Sequence, residues 1–315
     1  LIDRFIAGEI KSKGKDKSRN TLQNYNTVKG HLIEYQLKTK TKLTFDKINL
    51  DFFYSYVSFL QKYTPRNSKE KGLAQNTISK DITTLKVFMS EAVDMGLTTN
   101  MQFRHKKFTV QEEATDAVYL NDREINAVYK LDLSENQRLE RARDLFVFGC
   151  YVGLRYSDYS TIKPENIISI DGDLFIKLIT TKTKTLVIIP CSPVVLEIFE
   201  KYKDNTNSLP RSYSNQKFNE YVKEVCEKAG LVEIGRLSTA PEKKLFESIS
   251  SHTARRSFAT NLYLDGFPTI EIMKITAHTT EKSFLKYIKV SKLDAAKRLS
   301  AFMKKRWSEK MLRVA

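Results

Sequence analysis

Apolar residues recur at intervals of three and four along most of this chain, and two stretches break the rhythm. Leu22, Tyr25, Val28, Leu32 and Tyr35 form one helical row, and Phe52, Phe53, Tyr56, Phe59 and Leu60 a second. Ile78, Ile82, Leu85, Phe88, Met89 and Ala92 form a third, closed by Gly96 where a helix C-cap is expected. The connections are basic and polar, KSKGKDKSR and KYTPRNSKEKG. Four short helices with lysine-rich connections suit a small DNA-clamping module, and equally a helical interaction domain.

Phe103 to Thr115 has no period and changes charge sign midway, as a linker does. It divides the chain into a domain of residues 1–108 and a second of 109–315. In the second, Asn121 and Glu124 are spaced as a capping box, and an apolar helix follows through RLERARDLFVFGCYVGL. Then the period shifts to strands. IISI and DLFIKLI flank Asp171-Gly172, a two-residue hairpin signal, and TLVIIP follows a Thr/Lys-rich turn. After Pro193 the helical pattern returns. One helix ends at Gly230, and another opens near Thr253 and ends at Gly266. A third lies near TIEIMKIT, a short one carries Phe284 and Tyr287, and the last spans Lys292 to Trp307. The fold class predicted is mainly α with a small antiparallel β-sheet (α+β).

Charge adds a partner. Of 315 residues, 53 are Lys or Arg and 37 Asp or Glu, a net +16. Such a surplus favours a polyanion, because each phosphate contact releases counterions; charge alone also fits a merely basic surface. Hydrophobic residues at 41% and charged residues at 29% match a globular protein. Cys150, Cys191 and Cys226 are far apart, odd in number and apolar in setting, so buried free thiols in a reducing cytosol are expected and structural zinc is not. Neither a signal peptide nor a membrane-length apolar run is seen. The first residue is Leu, which leaves open a segment upstream.

Five segments carry candidate chemistry. Cleaving a phosphodiester without metal requires donors for the non-bridging oxygens, a proton for the leaving alkoxide and an in-line nucleophile. Arginine suits the first task, since its planar fork donates two hydrogen bonds and keeps its charge. Arg155 in GLRYSD follows the apolar helix, with Asp158 three residues on and placed to hold the guanidinium. Lys182 and Lys184 stand at a hairpin turn, where an ammonium could protonate a leaving oxygen or be an ordinary turn residue. His252 and Arg255 in SHTARRSFAT share one face at a helix N-terminus, itself an anion site. His278 precedes Tyr287 on a Lys-flanked helix. Singly, each of these has an ordinary structural explanation.

As an ordered set, Arg155, Lys182, His252, Arg255, His278 and Tyr287 resemble the catalytic signature of tyrosine recombinases of the phage-integrase family. The resemblance runs through the second domain. SHTARRSFATN and NQKFNEYVKEVCEKAG are especially similar to integrases of Bacteroides-group mobile elements, and the N-terminal helices look like that family's core-binding domain. Ala277 departs from the family's usual Gly before the histidine, and spacing to Pro190 favours Lys182 over Lys184.

The resemblance implies a site-specific recombinase. Arg155, Arg255, His252 and His278 would cradle the scissile phosphate, Asp158 would orient the Arg155 or His252 side, Lys182 would protonate the 5′-oxygen, and Tyr287 would form a 3′-phosphotyrosyl ester. It implies no cofactor, neither ATP nor metal. The implied partner is double-stranded DNA, held by a homo-tetramer on two duplexes, with accessory DNA-bending proteins as candidates. The expected location is the bacterial cytoplasm, at the nucleoid. The helix after Ser291 is a candidate for docking on a neighbouring protomer or on its own domain. Type IB topoisomerase activity and non-catalytic DNA binding are the alternatives.

Overall fold

The computed structural model describes residues 1–10, 17–65, 71–113, 116–204, 209–290 and 292–312. Much of the two basic connections, residues 11–16 and 66–70, lies outside the described residues, as do Thr115 and Ser291. The chain forms two compact units, Leu1–Ala114 and Thr115–Ala315. The division falls within the stretch read as linker, six residues beyond the boundary expected after residue 108.

The first unit holds α1 (Ile2–Ile6), α2 (Arg19–Thr39), α3 (Leu50–Lys62) and α4 (Gln75–Asp94). Two of these are not short: α2 has 21 residues and α4 has 20. Ser18 caps α2 by accepting from the Thr21 amide, and Asn49 caps α3 by accepting from Phe52. Gly96, at φ 70°, closes α4 in the left-handed region where a Cβ is costly. The rows read from the sequence meet in an aromatic core. Tyr25 stands edge-on to Phe88 at 5.0 Å, and Tyr35 edge-on to Phe52 at 5.4 Å. Each such ring contributes about 1.5–3 kcal/mol by leaving water. His31 and Asp81, both buried, pair at 2.5 Å inside it.

In the second unit, α5 (Asp122–Tyr129) opens with the expected capping box. The centre is α6 (Gln137–Val152), whose Leu139, Leu145, Phe146, Val147 and Phe148 are all fully buried. From Leu145 to Cys150 it is buried on every side, so this half needs neighbours all round. One-turn α7 (Tyr156–Tyr159) follows, then a meander of β1 (Ile167–Ile170), β2 (Asp173–Ile179) and β3 (Leu186–Pro190). Both ladders are antiparallel, pairing Ile168 with Phe175 and Ile176 with Ile189. Asp171 and Gly172 have φ of 52° and 91°, as a two-residue hairpin demands. Ile176, Val187 and Ile189 point into the core, while Leu186 and Ile188 are exposed. The remaining helices are α8 (Pro193–Lys201), α9 (Asn215–Lys228), α10 (Ser251–Leu264), α11 (Thr269–Ile275), α12 (Glu281–Leu285) and α13 (Lys292–Leu312).

Four details differ from the sequence reading, the first being that α13 runs on to Leu312, five residues beyond Trp307. Helix α10 starts two residues early, because Ser250 and Thr253 form a box that takes Ser251 and His252 into the first turn. Tyr287 lies just beyond α12, in a turn closed by its amide donating to the Phe284 carbonyl at 2.7 Å. Cys191 is only half-buried, whereas Cys150 and Cys226 are enclosed and burial pushes their thiols up. Among the described residues no helix is long and apolar enough to cross a membrane.

Candidate active site

Gly153 sets the site's geometry. It ends α6 at φ 66°, and a Cβ there would fall 2.2 Å from the Phe258 ring of α10. Only glycine lets the two helices close at this point, and the closure brings the Gly153 carbonyl to Arg255. Arg255, 0% exposed, donates from Nη1 to that carbonyl at 2.9 Å. Burial and then the nearby Arg155 lower its pKa to about 10, which still leaves it charged at neutral pH. Its Nε has no hydrogen-bond partner, nor has the buried Nη1 of Arg155.

Arg155 is the N-cap residue of α7, three residues before Asp158. The expected bond between them is not what Asp158 makes. Its Oδ1 instead accepts the Thr181 amide at 2.8 Å, and its buried Oδ2 has no partner. Asp158 thus ties the Arg155 segment to the turn that carries Lys182, and its charge also acts on Arg255.

That turn is closed by threonines. Thr180, fully buried, donates its amide to the Thr185 carbonyl at 2.9 Å, and its hydroxyl accepts the Thr185 amide at 3.1 Å. Thr181 to Lys184 bulge beyond, and Lys184 turns the chain back at φ 54°. Lys182 is exposed at the tip, yet its charge reaches His252. His252 lies on the exposed side of α10's first turn. Its pKa is lowered by loss of solvation and then by Arg256, Arg255, Arg155 and Lys182, a ring of cations.

His278 sits where a Schellman cap ends α11. Its amide donates to the Met273 carbonyl at 2.9 Å and the Ala277 amide to Lys274 at 3.3 Å. Ala277 therefore occupies the left-handed position, at φ 51°, which explains why glycine would be the natural residue there. A proton chain fixes the ring. Arg255 Nη2 lies 3.0 Å from Nε2, and Nδ1 lies 2.7 Å from the Thr276 hydroxyl, which itself donates to the Ile272 carbonyl at 2.6 Å. Because the guanidinium can only donate, Nε2 accepts and Nδ1 carries the proton. Burial, with Arg255 and Arg155 behind it, pushes the imidazole down to about 3, so it is neutral. A cavity of about 250 Å³ beside it is shared with Thr185 of the hairpin turn.

Tyr287 completes the group. Its half-buried ring stands edge-on to His278 at 4.8 Å, with the Arg255 guanidinium 5.3 Å from its centroid. All seven residues picked from the sequence thus belong to one neighbourhood. Three more belong to it: Arg256, Thr260 and Thr276. Arg256 and Thr260 follow His252 at steps of four, so the row was readable in the sequence. Thr276 gave no signal, since its role depends on the cap.

Comparison with known proteins agrees with this arrangement. A profile described as the phage integrase SAM-like domain matches residues 3–110, and one described as the phage integrase family matches residues 119–293. No curated protein sequence matches. Among solved structures, a lambda integrase dimer bound to a COC′ core site is similar at a TM-score of 0.67 and 14% identity, covering 91% of this chain and 94% of that one. The Tn1549 transposon integrase in complex with circular intermediate DNA gives 0.64 and 17%, covering 94% and 97%. XerH recombinase bound to its difH substrate gives 0.60 and 15%, covering 96% and 94%. At such identities these structures speak for the fold.

Proposed function

The chain belongs to the phage integrase family, and from that premise we propose that it is a site-specific tyrosine recombinase with Tyr287 as nucleophile. The observation that carries the assignment is the packing of Tyr287 against His278 and Arg255 beside two orphaned donors. A buried donor without an acceptor costs about 1–3 kcal/mol. Arg155 Nη1 and Arg255 Nε would recover that cost on the non-bridging oxygens of a phosphate. The crowding of Arg155, Arg255, Arg256 and Lys182 around His252 has the same meaning, since an anion relieves it.

In this reading the Tyr287 oxygen attacks phosphorus as its proton passes to solvent, and the bond from phosphorus to the 5′-oxygen breaks. Lys182 gives a proton to that oxygen. Arg155, Arg255 and His252 hold the charge that builds on the phosphate, and the neutral His278 fixes the Arg255 guanidinium through Nε2. Asp158 anchors the Lys182 turn through Thr181. Attack by a 5′-hydroxyl from a second duplex then reverses the step and releases the tyrosine. One ester replaces another, so the energy of the bond is kept.

DNA is the partner. The matched integrase structures hold DNA, and one is a lambda integrase tetramer on a Holliday junction. The assembly we infer here is likewise a tetramer on two duplexes. Helix α13 supports it by exposing Leu299, Phe302, Met303 and Trp307, a stripe at steps of three and four fit to dock on another copy. The first unit is taken as the core-type DNA-binding domain.

The test starts from a pool of nicked duplexes with randomised sequence around the nick. The nick lets a short strand diffuse away after cleavage, so a covalent intermediate accumulates. Adducts are separated under denaturing conditions, the attached DNA is sequenced and the modified peptide identified by mass spectrometry. The expected result is DNA esterified to Tyr287, and none with Tyr287→Phe. Adducts that persist on another residue in that variant would remove Tyr287 from the role.

A further inference from the structure

One helix face reaches both sides of the reaction. Residues 252, 256 and 260 of α10 are four apart, so their side chains form one row. His252 is at its phosphate end. The other two face Tyr287. The half-buried Arg256 holds its guanidinium 5.8 Å from the centre of the Tyr287 ring, and its pKa is lowered by loss of solvation, which separates it from a freely hydrated surface charge. Thr260 is fully buried, and its hydroxyl makes two bonds. It donates to the Tyr287 carbonyl at 3.1 Å and accepts the Lys289 amide at 3.3 Å, so one oxygen spans the nucleophile's main chain.

Tyr287 needs such a hold. It follows a helix of five residues and lies outside any regular element. So short a helix has little stability of its own, and a nucleophile displaced by about 1 Å can lose on the order of 100-fold in rate. Resting on the reading of Tyr287 as nucleophile, we propose that Arg256 and Thr260 are positioning residues for strand cleavage: Thr260 clasps the main chain of Tyr287 and Arg256 steadies its ring. The same α10 thereby presents His252 and Arg255 to the phosphate and holds the attacking oxygen in register with them. Neither positioning residue touches DNA in this scheme.

The experiment uses the full chain and the nicked duplex most enriched in adducts from the randomised pool. Single-turnover adduct formation is followed at rising protein concentration, which separates the maximal rate from half-saturation. Thr260→Val keeps the side-chain volume and removes the hydroxyl, while Arg256→Met removes the cation and keeps the length. Each should lower the maximal rate roughly 10- to 100-fold with half-saturation unchanged. Thr260→Ser and Arg256→Lys should recover most of the rate, which a role in packing alone would not produce.

If the rate falls and half-saturation shifts to higher protein concentration, the residues are DNA contacts and the proposal fails. It fails also if Ser and Lys are as slow as Val and Met, or if all four variants match the parent. Should Thr260→Val not fold, as judged by thermal melting, Arg256→Met against Arg256→Lys decides the matter alone. A parent chain whose adduct lies elsewhere than Tyr287 overturns the nucleophile assignment itself, a result distinct from a Tyr287 adduct insensitive to both residues.

Discussion

The inner and outer halves of the site are built in different ways. Arg255 is sealed between the end of α6 and the first turns of α10, with its guanidinium bonded to the Gly153 carbonyl and to His278. Lys182 sits exposed at the tip of a hairpin, and Tyr287 follows a one-turn helix. Groups that only stabilise charge gain from rigidity and a dry setting, where their dipoles need no rearrangement during reaction. Groups that give or take a proton or form a bond must meet DNA that arrives from outside, so they stand on tips whose bases are pinned. Asp158 pins one base and Thr260 the other.

That contrast makes different demands on each half. The largest loss among charge changes should come at the outer half, from Lys182→Ala, which in the proposed mechanism removes the proton donor and slows cleavage by about 10²–10⁴-fold. A substrate with sulfur in place of the bridging 5′-oxygen leaves without a proton, so it should restore most of the rate. Lys184→Ala changes the same charge two residues away and should cost little with either substrate. If sulfur rescues Lys184→Ala instead, the turn presents the other lysine.

The inner half should respond without rescue. Arg255→Ala and Arg155→Ala should each slow adduct formation on the order of 10²–10³-fold on oxygen and sulfur substrates alike, by analogy with the loss of an oxyanion donor. They should part company in thermal melting. Arg255 is fully enclosed and bonded to the Gly153 carbonyl, so its loss should lower the melting point, whereas Arg155, partly open with an orphaned Nη1, should lower it less. Equal melting shifts would erase the distinction between a sealed and an open arginine.

Much of this was legible before any coordinates. The helical rows of the first unit, the Asp171-Gly172 hairpin and the Asn121 capping box are local, and local patterns survive into the fold. The ordered residues Arg155, His252, Arg255, His278 and Tyr287 could be picked out because as a set they resemble the catalytic signature of tyrosine recombinases. What could not be read depends on contacts between distant segments. Asp158 looked placed for Arg155, three residues away, but its carboxylate bonds Thr181, 23 residues away. The Thr276 hydroxyl orients His278 only because the cap folds it back. Backbone patterns were reliable and individual side-chain partners were not, since a residue's neighbours in sequence compete with partners that only the fold supplies.

The smallest effect concerns Ala277, held at φ 51° by the cap of α11. Replacing it with glycine removes the strain of a Cβ in the left-handed region and should stabilise the chain by about 0.5–1 kcal/mol. For a unit of this size that is roughly 1–4 °C in melting temperature. The cleavage rate should stay within about twofold, because the cap and the proton chain through Thr276 are kept. A lower melting temperature would mean that the methyl group's burial, at 3% exposure, outweighs the backbone strain.

The bond from Thr181 to Asp158 also decides where this protein can tolerate new sequence. Strand β2 has its pinned end at the Lys182 turn and its other end at Asp171-Gly172, separated by seven residues, or about 23 Å of extended chain. Residues added at Asp171-Gly172 lengthen an exposed tip, where a Cβ on Gly172 would meet nothing within 4 Å. Residues added between Thr180 and Thr185 would break the threonine closure and move the lysine. The small sheet is therefore a graft site at one end and a fixed gauge at the other, so a fluorophore or an affinity tag belongs at the first.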